Sequence, residues 1–409
     1  MPSTLSWIDH DTAARERTLR ILSLFQERET RDELGLGSVR DSFADQLFPG
    51  TSTIQTRLRY MLFVPWIYKS LEDRKVPSSS FAQQADKIER SLITPLLASD
   101  DQAGVFGKTA GGSLKRLPSS VYWSGLGAWG IRTMDLSQDE YHRRIDQIHE
   151  LRRSLKEEEK LTRARGDDVD IEARRQTETW HPGLPPIPDG FPSQADFALT
   201  RQEAEFIRDR IRISAPQSLL SFLTLHGKPT DVAFPWEHPD LGSFLDAHKL
   251  LMAHARLFSE SMHGAALVYN YQLAKVRSSD DLADTHAQSF QKWKETLPLG
   301  DIHAWDLNAL WEATKIDGQA IHPRTQDFVR SWINLVRLHA GDLLHNAEAA
   351  QLIRLREMWL KKGRSRFSNQ RALEQWGGKS GTARLAYRWS NVKTLLDDLY
   401  QGLKGGGHA

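Results

Sequence analysis

Residues 354–393 read RLREMWLKKGRSRFSNQRALEQWGGKSGTARLAYRWSNVK, and the cations, aromatics and glycines of the chain coincide there. The stretch holds eleven Lys and Arg against two Glu, a net charge of +9, whereas the whole chain of 409 residues carries only +1. The remaining residues therefore sum to −8. This imbalance predicts an electrically bipolar protein whose basic part lies near the C-terminus.

The apolar spacing within this stretch predicts three helices. Leu352, Leu355 and Trp359 recur at helical spacing, and Gly363 is predicted to cap that helix in the left-handed conformation. A short helix is expected around residues 371–375. A third helix is expected from Thr382, with a buried stripe formed by Leu385, Trp389, Val392, Leu396 and Leu399.

A glycine-rich loop precedes the third predicted helix and consists of Gly377, Gly378, Lys379, Ser380 and Gly381. The free backbone N–H groups and the positive dipole end of a helix N-terminus suit an oxyanion, so the loop is predicted to bind phosphate. It is not a P-loop, because the position five residues before Gly378 is Leu373 in a helical context. Nucleotide hydrolysis is not expected here.

The basic stretch is interpreted as a clamp for the phosphate backbone of nucleic acid, DNA or RNA. Trp376 and Tyr387 are expected to stack on bases. The predicted backbone contacts are Arg364, Arg366, Arg371, Lys379, Arg384 and Arg388, assisted by Arg57, Arg59, Lys115 and Arg116. Two alternatives remain: a solvated basic face, and a surface that docks an acidic protein partner.

The whole chain is expected to be mostly α-helical and cytoplasmic. It has no cysteine, hence no disulfide framework, and its longest apolar run, residues 60–68, contains Pro65 and is too short to span a bilayer. The N-terminus lacks the apolar core of a secretory signal, and a helix is predicted over residues 15–29. No membrane contact is expected.

The domain prediction follows two capping boxes and a proline-rich linker. Ser137 and Thr200 each begin an S/T-x-x-E motif, and residues 181–192 are rich in proline. We therefore expect an N-terminal helical domain over residues 1–135, a charged helix and linker over 136–195, and a C-terminal α-bundle over 196–403. The Gly- and aromatic-rich residues 104–131 permit a winged-helix-like element in the first domain.

Near the N-terminus, the loop sequence GTSTIQTR precedes an apolar run that ends at Trp66. Ser52 or Thr53 is predicted to cap a helix here. Arg57 and Arg59 would lie in its first turns, where guanidinium groups, hydroxyls and backbone N–H groups together suit a phosphate.

A metal site is the second alternative function. Glu260-x-x-His263 and Asp342-x-x-His345 each place a carboxylate and an imidazole on one helix face, as in di-metal helix bundles. Two further carboxylates that such a site requires are not identifiable. Since no nucleophile, zinc or dinucleotide motif occurs either, no catalytic residue, metal or cofactor is assigned and the protein is expected to be non-catalytic.

Four blocks of the sequence resemble those of an uncharacterised bacterial family defined only as a domain of unknown function. They are residues 31–66, 115–131, 255–274 and 364–389, so the resemblance spans nearly the whole chain. It implies a gene neighbourhood of phage-defence type, with helicase and phospholipase-D-like nuclease genes. The expected role is a non-catalytic subunit of a bacterial defence or DNA-processing complex.

Overall fold

The computed structural model describes residues 32–165, 177–316 and 318–405. The helix predicted over residues 15–29 lies outside them. Within these ranges the protein is mostly α-helical, as predicted, and contains no β-strand, only the isolated bridges Arg132 to Trp180 and Ile316 to Gln319. None of the helices described is both long and apolar enough to cross a membrane.

The α-helices are numbered here in chain order. They are α1 (Gly37–Leu47), α2 (Tyr60–Asp73), α3 (Ser78–Ser91), α4 (Ile93–Ala98), α5 (Pro118–Ala128), α6 (Gln138–Arg165), α7 (Arg201–Ser214), α8 (Leu219–His226), α9 (Asp246–Val276), α10 (Asp280–Thr296), α11 (Leu299–Ala304), α12 (Leu307–Ala313), α13 (Pro323–His339), α14 (Ala347–Lys361), α15 (Gln370–Glu374) and α16 (Trp389–Leu403). Short 3₁₀ turns lie at Gly111–Ser113, Pro235–Glu237, Leu241–Ser243 and Lys362–Arg364.

Two compact units account for the chain, and each is built from two segments. The first unit comprises Met1–Phe43 and Leu250–Tyr387, and the second comprises Ala44–Lys249 and Arg388–Ala409. The domain limits at residues 135 and 195 stay a prediction.

In the second unit, the core forms around α2, whose residues from Tyr60 to Tyr68 are all buried. Because α2 is apolar on every side over these residues, it lies at the centre of the core. It continues through Pro65, which lies at its sixth residue. The predicted start at Ser52 or Thr53 is wrong, because the helix begins at Tyr60 and the preceding residues are irregular.

Capping hydrogen bonds define where two further helices of the second unit begin. Thr200 accepts the Glu203 N–H at 3.2 Å, and Glu203 accepts the Thr200 N–H at 2.9 Å, which confirms this capping box at the start of α7. Ser137 and Glu140 make the same exchange before α6. The last helix, α16, packs on α7 where a Cβ on Gly402 would lie 2.8 Å from the Ala204 Cβ.

The glycine-rich residues 104–131 form a 3₁₀ turn followed by α5, with no strand in this stretch. The winged-helix-like option is therefore wrong, since a wing requires a hairpin. Backbone segments nevertheless approach each other closely in this stretch. A side chain on Gly125 would collide with the carbonyl oxygen of Gly50.

The first unit is organised along α9, a helix of 31 residues. Gly264 lies directly against the Trp293 ring of α10, where a Cβ would clash. Trp293 Nε1 donates to the Glu260 carbonyl at 2.8 Å, and Trp332 of α13 donates to the Ser261 carbonyl at 2.8 Å. These indoles fix the spacing of α10 and α13 against α9.

Helix α14, also in the first unit, buries its charged face. Arg356, Glu357 and Lys361 are buried, whereas Leu355 and Trp359 are 57% and 42% exposed. The predicted cap at Gly363 is wrong. The chain leaves the helix one residue earlier, at Lys362, which adopts φ 48° and ψ −125°.

Candidate anion-binding site

Within the first unit, several cations of residues 354–393 are neutralised internally. Lys361 and Arg366 both pair with Glu33, the latter at 2.9 Å, and Arg384 pairs with Glu260. Arg356 instead donates to backbone carbonyls, among them that of Leu34 at 2.9 Å. Arg366 and Arg384, predicted as phosphate contacts, are thus already held by carboxylates.

The two C-terminal cations of the stretch belong to the second unit and are also engaged there. Arg388 pairs with Asp45 at 2.6 Å and donates to the Thr51 carbonyl at 2.7 Å. Lys393 lies 3.6 Å from Asp231. Arg388 therefore stabilises its own unit and is not a freely presented phosphate contact.

Five cations of the stretch remain exposed, and we call them the outer cations: Arg354, Lys362, Arg364, Arg371 and Lys379. Among the residues that the structure describes, none of the five forms a salt bridge with a carboxylate. Arg354 lies over the Phe367 ring at 5.6 Å. The outer cations include three predicted contacts, Arg364, Arg371 and Lys379.

The glycine loop does not precede a helix N-terminus. Helix α16 begins at Trp389 and not at Thr382, so the dipole argument for phosphate binding by Gly377, Gly378, Ser380 and Gly381 is wrong. The Ser380 N–H, which that argument assigned to phosphate, donates instead to Asn270 Oδ1 at 2.7 Å.

Two buried side chains hold the loop in place. Asn270 Nδ2 donates to the Ser380 carbonyl at 2.7 Å, and His286 Nε2 donates to the Gly378 carbonyl at 2.8 Å. Lys379, between these two anchored residues, is exposed. Sequence reasoning missed both anchors, although a lone Asn within the apolar run ALVYNYQLA was an available signal.

The two predicted stacking residues are core residues. Trp376 is 1% exposed and donates Nε1–H to Asn270 Oδ1 at 3.2 Å. Tyr387 is 2% exposed and donates its hydroxyl to the Ala255 carbonyl at 2.6 Å. Neither ring presents a face to solvent, so the prediction that they stack on bases is wrong.

In the second unit, the predicted phosphate position at Arg57 is occupied by a carboxylate of the chain itself. Asp398 accepts from Arg57 Nη2 and from the Leu58 N–H, both at 2.8 Å. Arg59 pairs with Glu203 at 2.9 Å and with Asp196 at 2.6 Å. Both arginines are buried, so the phosphate grip predicted for them is corrected to internal ion pairing.

Lys115 and Arg116, also in the second unit, follow the Gly111–Ser113 turn and are exposed. Within the described ranges neither forms a salt bridge. Their role in nucleic-acid contact stays a prediction.

A groove of about 400 Å³ lies in the first unit between α9, α10 and the glycine loop. Helix α10 contributes Thr285, Ser289, Lys292 and Thr296, whose spacing of i, i+4, i+7 and i+11 places them on one face of the helix. The groove is lined by Glu260, His263, Leu267, Thr285, His286, Ser289, Lys292, Trp293, Thr296, Lys379, Thr382 and Arg384. Its cations come from two places in the sequence, Lys292 from α10 and Lys379 and Arg384 from the basic stretch.

The electrostatics of the groove are positive. Glu260 is its one carboxylate among the lining residues and is paired with Arg384, which leaves Lys292 and Lys379. Burial, together with the nearby Arg384 guanidinium, lowers the pKa of His263 to about 4. His263 is therefore uncharged at neutral pH, and the groove carries a net charge close to +2.

The predicted metal constellation is not assembled. In residues 32–165, 177–316 and 318–405, no group of three or more His, Asp or Glu side chains is placed to hold a metal ion. Glu260 is paired with Arg384, and the His345 ring lies 5.9 Å from that of Tyr271.

The chain was also compared with known proteins. No curated protein and no solved structure matches it. One family model does, over residues 2–151 and 169–402. That match covers well over half of the sequence, and the chain therefore belongs to DUF6361, a family of unknown function.

Proposed function

We propose that this protein is a non-catalytic subunit that binds the phosphate backbone of nucleic acid through its outer cations. The observation that carries the proposal is the division of residues 354–393 into inner cations, held by carboxylates or backbone carbonyls, and five exposed outer ones. Exposed cations without carboxylate partners are the groups that release counterions from a polyphosphate.

The type of contact follows from these side chains. Lys and Arg at the surface reach phosphate oxygens and carry no base information, so binding is expected to tolerate sequence changes. The buried Trp376 and Tyr387 add no stacking. Affinity therefore rests on charge and falls steeply with salt.

The proposal extends to the setting. The role fits a cytoplasmic defence or DNA-processing complex in which a helicase or nuclease supplies the chemistry. The sequence resemblance supports this setting, and so does the lack of cysteine.

Fluorescence anisotropy with a labelled duplex and a labelled single strand, each at two salt concentrations, tests the proposal. Arg364→Ala/Arg371→Ala removes two outer cations outside the groove. It is expected to weaken binding about tenfold or more at low salt and to reduce the slope of log K against log salt by about 2. The charge-matched control is Arg256→Ala/Lys294→Ala, two exposed cations outside residues 354–393.

An equal loss of nucleic-acid affinity in both double variants would contradict the proposal, since binding would then depend on net charge alone. Absence of wild-type binding to either strand at low salt would reject it outright.

A specific observation favours a second candidate, the docking of a protein partner. Leu355 and Trp359 lie one turn apart on α14 and are both exposed, and Leu355 directly follows the exposed Arg354. Trp and Arg are enriched among residues that dominate protein interfaces. Trp359→Ala is expected to abolish co-purification of such a partner while leaving nucleic-acid affinity unchanged.

A further inference from the structure

The groove between α9, α10 and the glycine loop is concave, and of the five outer cations only Lys379 lines it. Its volume of about 400 Å³ lies within the range of small-molecule sites, roughly 300–1,000 Å³. A patch that merely follows a polymer backbone needs no such volume. The groove therefore points to a discrete ligand.

The position of Lys379 is fixed in advance. Its neighbours on either side, Gly378 and Ser380, are hydrogen-bonded to His286 and Asn270, which project from the two helices that form the groove walls. A backbone held in this way loses little conformational entropy when its side chain binds a ligand. Lys379 and Lys292 of α10 both line the groove.

The charge of the groove selects among anions. Glu260 and Arg384 neutralise each other, and His263 is uncharged at neutral pH, so Lys292 and Lys379 leave a net charge near +2. A phosphodiester carries one negative charge. A phosphate monoester carries about −1.5 to −2 at pH 7 and matches the groove better.

We propose that this groove binds a phosphate monoester, with Lys292 and Lys379 contacting the phosphate. The monoester is either a free phosphorylated small molecule or the terminal phosphate of a nucleic-acid strand. In the second case the inference rests on the proposed function and deepens it, because the protein would recognise strand ends.

Isothermal titration with three probes tests the chemistry and its source: inorganic phosphate, a 5′-phosphorylated dinucleotide, and the same dinucleotide without the terminal phosphate. The first two are expected to bind and the third to bind at least tenfold more weakly. If the phosphorylated dinucleotide binds more than tenfold more tightly than inorganic phosphate, the ligand is a strand end. If these two probes bind with equal affinity, the ligand is a free monoester. Equal binding of both dinucleotides overturns the proposal, as does failure of both phosphate probes.

Two variants locate the site. Lys292→Met/Lys379→Met is expected to weaken phosphate binding at least about 30-fold, since two charge-assisted contacts are lost. Lys275→Met/Lys294→Met, a pair of exposed lysines that do not line the groove, serves as the matched control and is expected to change affinity less than twofold. A similar loss in the control would overturn the proposal.

Ser289→Trp fills the groove without changing its charge. It is expected to abolish monoester binding, and wild-type affinity in this variant would place the ligand elsewhere. Circular dichroism melting confirms that each variant is folded. Arg364→Ala/Arg371→Ala, which leaves the groove intact, is expected to keep monoester binding, so failure of the groove and failure of the backbone proposal give different results.

Discussion

Asn270 and Ser380 are paired like two peptide groups of neighbouring strands, with the Asn270 amide donating to the Ser380 carbonyl and the Ser380 N–H donating back, both at 2.7 Å. The Asn270 side chain thus forms with the glycine loop the pair of hydrogen bonds that a neighbouring strand's backbone forms in a β-sheet. Asn270 is fully buried and also accepts the Trp376 indole N–H.

Asn270→Ala is expected to lower the free energy of unfolding by about 3 kcal/mol, because the Ser380 N–H, the Ser380 carbonyl and the Trp376 indole N–H each lose the Asn270 partner. Monoester affinity should fall with it, since Lys379 loses its fixed position. Urea denaturation measures the first effect. Asn308→Ala, at an exposed position, is the control and should change stability by about 0.5 kcal/mol or less. Equal stability of the two variants would show that the loop is held by other contacts.

Arg57→Met is expected to destabilise the protein by about 3–5 kcal/mol, because it leaves the buried Asp398 carboxylate without its guanidinium partner. Arg57→Met/Asp398→Leu removes both charges and should recover much of this loss. A double-mutant cycle in urea gives the coupling energy. If the double variant were as unstable as the sum of the single variants, the pair would not be coupled as described.

Glu89→Gln is expected to stabilise the protein at pH 8.5 but not at pH 4.5. Glu89 is 2% exposed and accepts the Ser119 N–H at 2.8 Å, while its Oε1 has no hydrogen-bond partner among the described residues. Burial raises its pKa from 4.5 to about 7. The folded state therefore keeps the proton where the unfolded state has lost it, and stability falls as the pH rises from about 4.5 through 7.

The gain from Glu89→Gln at high pH should be on the order of 3 kcal/mol. Urea denaturation of both proteins from pH 4.5 to 8.5 measures it. A difference between the two proteins that stays constant over this range would refute the raised pKa.

Lys362→Gly is expected to raise the free energy of unfolding by about 1 kcal/mol. Lys362 ends α14 with φ 48° and ψ −125°, a conformation that strains any residue with a Cβ and that glycine adopts freely. Lys294→Gly removes the same charge inside α10 and should cost about 1 kcal/mol instead. In thermal melts, a higher Tm for Lys362→Gly together with a lower Tm for Lys294→Gly would confirm the strain. A lower Tm for both variants would argue against it.

Helices whose signals are local were predicted from the sequence. The Thr200 capping box needs only Glu203, three residues away, and it forms as predicted. The start of α16 was misplaced, because the apolar period continues back to Leu385 whereas Tyr387 and Arg388 adopt positive φ angles of 50° and 67°. Periodicity does not report such a backbone reversal.

The candidate site was predicted less well, because a cation is available to a ligand only if no carboxylate reaches it first. Arg384 meets Glu260 from 124 residues away and Arg57 meets Asp398 from 341 residues away, so the sequence shows the charges but not their partners. Lys379 is exposed, and its predicted contact with nucleic acid stays a prediction. Lys292, on a helix far from the basic stretch, was not singled out by any local pattern.

The distance in sequence between Arg57 and Asp398 also governs how this protein can be made. At a synthesis rate of about 5–20 residues per second, Asp398 leaves the ribosome roughly 20–70 s after Arg57. During that interval the Arg57 side chain lacks its partner, and α7 lacks the helix that covers it. The second unit can close only after α16 has been translated, so a chaperone that shields α7 until then would raise the yield of native protein.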